Sequence, residues 1–225
     1  MKIKWLGHAS FLITSDSGTR VITDPYPSGL KGILQGLKYR KIRDAADVIT
    51  VSHNHSDHNN VSALQGNPQV IKSEGIIQIS GITFRGISGS HGRLRGTNTV
   101  FCFAIDGIRL CHLGDQAEAF TEQQFDEIGD VDILFLPLIG LPLIRRIERC
   151  PTQLDPLLAR TNSKMIIPMH FRNWKCWLPF PTIDGYLRNK NLKDKMKCTK
   201  LDTNEITLSQ ETLPQEREML ILKPH

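Results

Sequence analysis

Short apolar runs separated by turn residues fill the first half of the chain. Apolar and polar positions alternate in these runs, and β-branched residues are frequent, a pattern typical of strands. The strands predicted in this way are residues 2–6, 10–14, 20–23, 99–105 and 108–113. The last two flank Asp106-Gly107, a pair typical of tight hairpin turns. The pattern therefore predicts antiparallel hairpins.

The second half alternates apolar runs with segments of helical character. Residues 132–138 and 164–169 are almost entirely apolar, as strands covered on both faces are. Thr121 and Gln124 have the spacing of a capping box, which predicts a helix over 121–128. Further helices are predicted at 152–160 and 182–189, and closing strands at 204–208 and 219–222. We expect one α/β (α+β) domain over residues 1–225, in which two mixed sheets pack together with helices outside.

The composition is that of an ordinary globular protein. Of the 225 residues, 40% are hydrophobic and 23% are charged, close to the average for folded domains. No apolar run approaches the roughly 20 residues of a membrane helix, so we expect no membrane partner. Five cysteines, odd in number and without CxxC spacing, argue against a disulfide framework and indicate a reducing cytoplasm.

The net charge of +5 is distributed unevenly along the chain. Basic side chains concentrate in residues 31–43, 145–149 and 188–200. A solvated surface is the ordinary interpretation of such segments, and attraction of an anionic substrate or a nucleic acid is the functional alternative. The first segment belongs to a long glycine-containing stretch, residues 25–43, which we expect to form a loop or short helix near the functional site.

Three of the eight histidines fall within six residues, in His53-Asn54-His55-Ser56-Asp57-His58. Imidazole and carboxylate suit divalent metals such as zinc. In an extended segment, residues two apart project the same way, so His53 and His55 can grip one ion. Four candidate ligands exceed what one ion usually takes from one segment, which indicates two ions. The alternative is a polar loop whose histidines have no common role.

Further candidate ligands lie where other predicted strands end. Asp24 follows the strand 20–23, His91 follows the apolar run around 82–87, and Asp115 and His170 follow the strands 108–113 and 164–169. Loops at strand ends carry chemistry on a rigid scaffold. His112 lies within a predicted strand, and we expect it to be a core residue instead.

This ordered set resembles the metallo-β-lactamase superfamily, in which an aspartate, an HxHxDH motif, a lone histidine, an aspartate and a final histidine follow one another. Gly7 to Phe11, Arg95 to Thr99, His112 to Asp115 and Ile167 to His170 resemble motifs of its small single-domain metal-dependent hydrolases. The resemblance implies a four-layer αββα sandwich with the site at one edge of the paired sheets.

The resemblance also implies a ligand set. One ion would be held by His53, His55 and His91. A second would be held by Asp57, His58 and His170, and Asp115 would bridge the two. Asp24 would hydrogen-bond the HxHxDH loop from outside the ligand set. Asp57 and His8 are the candidate catalytic residues, His8 as a hydrogen-bond donor to substrate or to a ligand.

The function expected is that of a binuclear metal-dependent hydrolase. Two adjacent ions would activate water for attack on a small ester, lactone, amide or phosphodiester. Zinc is the default metal, and the ligand types also admit manganese, iron or nickel. We expect a small-molecule substrate with anionic character, and no nucleic acid.

Three other functions are open: an RNA or DNA phosphodiesterase, a di-iron redox protein, and a scaffold that binds metal without turnover. The di-iron relatives carry an acid where this chain has His55. The chain also departs from the small hydrolases, which commonly have a histidine where Glu118 stands. Their Gly-Gly and Tyr-Thr pairs after the region of Pro137 are absent from residues 137–146. Substrate preference therefore does not transfer from these relatives.

Overall fold

Two β-sheets make up most of the structure, a computed structural model that describes residues 1–28, 36–92, 95–138, 154–189 and 196–224. In chain order the strands are β1 (Lys2–Gly7), β2 (Ser10–Thr14), β3 (Arg20–Thr23), β4 (Val48–Thr50), β5 (Gln69–Ile71), β6 (Gly75–Ile79), β7 (Ile82–Ser90), β8 (Thr97–Ile105), β9 (Ile108–His112), β10 (Ile133–Pro137), β11 (Met165–Met169), β12 (Lys197–Lys200), β13 (Glu205–Thr207) and β14 (Glu218–Ile221). The first sheet has the order β13-β1-β2-β3-β4-β5, and the second has the order β12-β14-β11-β10-β9-β8-β7-β6.

The helices are α1 (Glu122–Ile128), α2 (Leu154–Thr161) and α3 (Ile183–Asn189). Helix α1 begins at the predicted capping box: Gln124 N donates to Thr121 Oγ1, and Thr121 N donates to Gln124 Oε1. This helix packs against β7 and α2. Two mixed sheets with helical cover confirm the predicted sandwich. Among the described residues, no helix is long and apolar enough to cross a bilayer.

The predicted strands and helices are present, with ends that differ by a few residues. The predicted helix 152–160 is α2, and residues 152 and 153 lie outside the described residues. Of the stretch 25–43, residues 29–35 also lie outside them. Strands β5, β6 and β12 were not predicted, and each is the outermost strand of its sheet. These edge strands bury few side chains: β5 and β6 bury one residue each and β12 buries none.

Aromatic side chains join the two sheets beneath one edge. Phe11 of β2 lies 4.5 Å from Phe135 of β10, measured between ring centroids. Trp5 of β1 stacks on Phe171, with centroids 5.3 Å apart. Each such ring buries about 150–250 Å². Because Phe171 follows the last residue of the predicted site and Trp5 precedes the first, this packing fixes two of the segments that carry the site.

The strand directions bring six strand ends to one place. Strands β1 and β3 both run antiparallel to β2, and β3 pairs parallel with β4. In the second sheet, β7 and β9 run antiparallel to β8, and β9, β10 and β11 are parallel. The carboxyl ends of β1, β3 and β4 therefore share one edge of the first sheet. Those of β7, β9 and β11 share one edge of the second.

Candidate metal centre

The segments that follow these six strands carry every site residue predicted from the sequence. In chain order they are His8 after β1, Asp24 after β3, His53, His55, Asp57 and His58 after β4, His91 after β7, Asp115 after β9 and His170 after β11. Histidine and carboxylate ligand atoms form three groups, two of which are described below; the third joins Asp24 to His53 and His58. In each group, all the atoms lie within 4.8 Å of one another.

The first group consists of His53, His55 and His91. His53 Nε2 lies 3.1 Å from His55 Nδ1, so the two side chains project toward one point, as their spacing predicts. The ring of His91 lies 4.8 Å from that of His53 and 4.9 Å from that of His55. Three imidazoles from two separate loops thus converge on one small volume.

The second group consists of His8, Asp57, His58 and His170. His8 Nε2 and His58 Nε2 lie 3.1 Å and 3.8 Å from Asp57 Oδ2. The ring of His170 lies 4.0 Å from that of His8. Three strand ends contribute to this group, and His8 joins it as a hydrogen-bond partner of the carboxylate.

The carboxylate of Asp115 lies between the two groups. Its Oδ2 is 3.1 Å from His91 Nε2 and 3.8 Å from His53 Nε2, which belong to the first group. The same oxygen is 3.4 Å from His170 Nε2, and Oδ1 is 3.4 Å from His58 Nε2, which belong to the second. Asp115 therefore lies close to histidine nitrogens of both groups.

Several buried polar atoms of the centre have no hydrogen-bond partner. They are His8 Nδ1, His58 Nε2, both ring nitrogens of His91, Asp115 Oδ1 and both ring nitrogens of His170. Buried polar atoms are normally paired, and an unpaired one costs about 1–3 kcal/mol. A cluster of unpaired nitrogen and oxygen atoms around one carboxylate has the donor chemistry that divalent cations such as zinc prefer. The residues present fit a metal centre.

Asp24 is hydrogen-bonded to the start of the HxHxDH loop and to its last histidine. Its carboxylate accepts hydrogen bonds from Ser52 N at 2.7 Å, Ser52 Oγ at 2.6 Å and His58 Nδ1 at 2.8 Å. Because Ser52 Oγ donates its proton to Asp24, His53 Nδ1 donates to that hydroxyl oxygen at 2.9 Å. Both histidines therefore carry hydrogen on Nδ1, and their Nε2 atoms face the centre. Such partners fix a ligand's tautomer and orientation.

The charge states of the centre suit cation binding. Burial lowers the pKa of His53 to about 3, and the charge of His58 adds to this effect. Burial likewise lowers the pKa of His170 well below its usual value. Burial acts the same way on His58, but Asp115, Asp24 and Asp57 outweigh it and raise the pKa to about 10. Neutral imidazoles bind metal directly, whereas His58 must release one proton when a cation replaces it.

The backbone turns sharply at three residues of the centre. His8, Asp24 and His170 have φ angles of 53°, 37° and 56°, in the left-handed region that non-glycine residues rarely adopt. Each comes directly after a strand. Such conformations persist where the surroundings impose them, and they cluster at functional sites.

Two buried amides, Asn98 and Gln116, support the loops that carry Asp115 and His91, and neither was predicted to have a role. Asn98 Oδ1 accepts from Asp115 N at 2.9 Å, and Asn98 Nδ2 donates to Leu113 O at 2.9 Å. Gln116 Oε1 accepts from Ser90 N at 2.9 Å, next to His91. Asn98 belongs to the motif of residues 95–99, which is the only signal that marks it. His112 is fully buried, and both its nitrogens are bonded, to Ala9 O and Gly114 N, so it is a core residue as predicted.

Known proteins are similar to this chain in sequence and in fold. The family model described as the beta-lactamase superfamily domain matches residues 2–170, a range that includes the whole centre. A metal-dependent hydrolase from Thermococcus kodakarensis is 23% identical over 203 residues, which cover 77% of this chain and 86% of that protein. A metal-dependent hydrolase from Carboxydothermus hydrogenoformans is 28% identical over 207 residues, with the same coverage of 77% and 86%.

A solved structure extends the similarity to nearly the full length. It is a Thermotoga maritima protein of the metallo-beta-lactamase superfamily, 29% identical, with a TM-score of 0.74. The similarity covers 98% of this chain and 97% of that one. The family model thus matches most of the chain, and the solved structure has the same fold. The protein belongs to the metallo-beta-lactamase superfamily.

Proposed function

We propose that the protein is a binuclear metal-dependent hydrolase that cleaves a small ester, lactone, amide or phosphodiester, with zinc as its metal. The observation that carries this proposal is the position of Asp115, whose two oxygens lie within 3.8 Å of histidine nitrogens from both groups. When bound, two adjacent cations supply hydroxide at neutral pH and stabilise negative charge that develops on the attacked centre.

In this proposal some residues would bind the ions and others orient the residues that bind them. His53, His55 and His91 would hold one ion. Asp57, His58 and His170 would hold the other, and Asp115 would hold both. Asp24 and Ser52 keep the Nε2 atoms of His53 and His58 directed at the centre through the hydrogen bonds described above. The chain thereby fixes the ligand geometry before substrate arrives.

Asp57 and His8 form the pair to which we assign proton handling. His8 Nε2 donates to Asp57 Oδ2 at 3.1 Å, which holds that carboxylate in one orientation. Asp57 would accept a proton from the attacking water, and His8 would stabilise the carboxylate through this hydrogen bond. His8 is completely buried, so neither group exchanges this bond readily for water.

Metal content and hydrolysis test the proposal together. We expect about two zinc ions per chain, the usual content of a two-metal site, by mass spectrometry, and turnover of members of an ester, lactone, amide and phosphodiester panel. Asp115→Asn and His170→Ala should lose metal and activity. Asp202→Asn, at a fully exposed carboxylate outside the centre, is the matched control and should retain both. A protein that binds no divalent metal would refute the proposal.

One observation favours a phosphodiesterase that acts on RNA or DNA as a second candidate. A cleft of about 610 Å³ is lined by Lys4, Arg40, Lys41 and Arg43 with Asp44 as its one acid. Neutralised phosphates release counterions, so binding of an oligonucleotide should weaken steeply with salt. The double substitution Arg40→Gln and Arg43→Gln should reduce the slope of log affinity against log salt concentration. Binding that does not respond to salt would exclude this candidate.

The cytoplasm is the location that we propose. Cys102, Cys111 and Cys176 are free thiols, and Cys150 lies outside the described residues. Free thiols persist in reducing compartments, whereas secreted proteins commonly pair them. Thiol titration of protein purified without reductant tests the proposal. Disulfide formation without added oxidant would contradict it.

A further inference from the structure

The loop that follows His170 presents two exposed tryptophans. Trp174 is 59% exposed and Trp177 is 64% exposed. Among the described residues, only Val70 and Ile76 are other large hydrophobic side chains with comparable exposure. Single exposed apolar residues are common, but two indoles in one short loop form an apolar patch that indicates a binding surface.

The same loop forms part of the wall of the metal centre. The ring of Phe180 lies 4.3 Å from that of His170 and 6.0 Å from that of His8. Trp177 precedes Phe180 by three residues, so their Cα atoms are at most about 11 Å apart. Trp174 follows His170 by four residues, so their Cα atoms are at most about 14 Å apart. Both tryptophans therefore belong to the loop that borders the centre, and we call the exposed part of this loop the rim.

The rim is held in place by a segment far away in the sequence. Lys38 N donates to Lys175 O at 2.7 Å, and Trp177 N donates to Gly36 O at 2.9 Å. Asn173 Nδ2 donates to Tyr39 Oη at 2.7 Å. These bonds fix the backbone beneath the exposed rings, so the rim is organised before any ligand binds.

Each indole carries a lysine ammonium on its ring face. Lys38 Nζ lies 3.9 Å from the ring centroid of Trp177, and Lys175 Nζ lies 4.4 Å from that of Trp174. Such cation–π contacts are favourable for an ammonium near an aromatic face. No described carboxylate lies within 4.0 Å of either ammonium. Within the described residues, both positive charges are therefore available to pair with an anion beside an apolar surface.

We propose that this rim, formed by Trp174, Trp177, Lys38 and Lys175, binds a small anionic molecule that has a flat apolar portion. The flat portion stacks on the indoles and the anionic group pairs with the ammoniums. The substrate class of the hydrolase is then an anionic aromatic compound, and this second statement rests on the proposed function. Binding at the rim does not, because it requires no turnover.

Binding of naphthalenesulfonate, an anion that the enzyme cannot hydrolyse, tests the proposal. Calorimetry and tryptophan fluorescence are measured on the full-length protein, both with zinc and after chelation. Trp5 is 1% exposed, so quenching on binding should come from the rim. We expect naphthalenesulfonate to bind at least about tenfold more tightly than methanesulfonate or naphthalenemethanol, the scale of stacking on an aromatic side chain.

Matched variants test recognition of the flat apolar portion and of the anionic group separately. Trp174→Ala with Trp177→Ala should weaken binding of naphthalenesulfonate about tenfold or more, and Lys38→Gln with Lys175→Gln should weaken it while leaving naphthalenemethanol unaffected. Ile76→Ser, at a 66% exposed position on β6, should change nothing. Equal affinity in the tryptophan variant would overturn the proposal. Tighter, strongly salt-dependent binding of an oligothymidylate would also overturn it in favour of a nucleic-acid strand.

Discussion

Replacing Asp24 by asparagine should weaken metal binding although Asp24 is not among the candidate ligands. The carboxylate is fully buried and accepts three hydrogen bonds, from Ser52 N, Ser52 Oγ and His58 Nδ1. An asparagine amide has one oxygen and one NH2 group. In either orientation of the amide, an N–H donor from Ser52 or His58 faces the NH2 group. At least one hydrogen bond is therefore lost.

The magnitude follows from the charge of the lost partner. Burial raises the pKa of Asp24, but the hydrogen bond and charge of His58 outweigh it and keep the group ionised. A hydrogen bond to a charged group contributes about 1.5–3 kcal/mol. Partners that orient a metal ligand typically contribute about 10- to 100-fold in affinity, an energy of about the same size. We expect a zinc affinity lower by this factor.

Zinc competition against a chromophoric chelator measures the effect directly. The unfolding free energy of the chelated protein in urea should also fall by about 1.5–3 kcal/mol, because the lost bond exists without metal. Asp202→Asn provides the control for removal of one carboxylate charge. If Asp24→Asn binds zinc with unchanged affinity, orientation of His58 by this carboxylate has no role in binding.

Three further changes test other parts of the structure. Asn98→Ala removes the acceptor of Asp115 N and the donor to Leu113 O; urea unfolding should show a loss of about 1–3 kcal/mol together with lower zinc occupancy. Thr121→Ala removes the cap of α1 and should cost about 0.5–2 kcal/mol by the same measurement, without change in metal content. Asp132 accepts from Arg109 N, Nε and a terminal guanidinium nitrogen. Burial raises its pKa, but these bonds hold it below the usual value. Its stabilising contribution is complete above about pH 4 and disappears as the pH falls through the lowered pKa. In Asp132→Asn, the unfolding free energy of the chelated protein should therefore depend less on pH below about pH 4.

Two of these three changes have a control variant, and the first has an outcome that would contradict it. Unchanged zinc occupancy in Asn98→Ala would show that the hydrogen bond from Asp115 N to Asn98 has no role in metal binding. Thr121→Ser keeps the capping oxygen and should restore the stability lost in the alanine variant. Asp130→Asn removes the more exposed carboxylate that pairs with Arg109, and its pH dependence should follow the unchanged protein. A pH profile of Asp132→Asn identical to that of the parent would contradict the assigned role.

The fold could be predicted in its interior and not at its margins. Buried strands such as β10 and β11 can be recognised in the sequence because every side chain is apolar. The edge strand β6 buries only Ile79 completely among its five residues. Its pairing with β7 arises from backbone hydrogen bonds, which any residue except proline can make. Its three isoleucines suit a strand, but buried and exposed positions do not alternate along it.

The centre could be predicted because metal binding restricts residue type and position more than packing does. His53 and His55 are informative by spacing alone, and the other candidate ligands by their places after strands. The rim could not be predicted in this way. Trp174 and Trp177 are visible in the sequence, but their exposure depends on a segment more than 130 residues away that binds their loop.

Local chemistry thus specifies the strands of the interior, the helix cap at Thr121 and the imidazoles and carboxylates that suit a metal. Each of these depends on residues close together in the chain, where spacing and residue type carry the information. The placement of Asp115 between two groups, the bond from His8 to Asp57 and the pairing of the rim loop depend on the packing of two sheets. Contacts between distant segments form only when the whole core closes, so they belong to the fold and not to any one stretch of sequence.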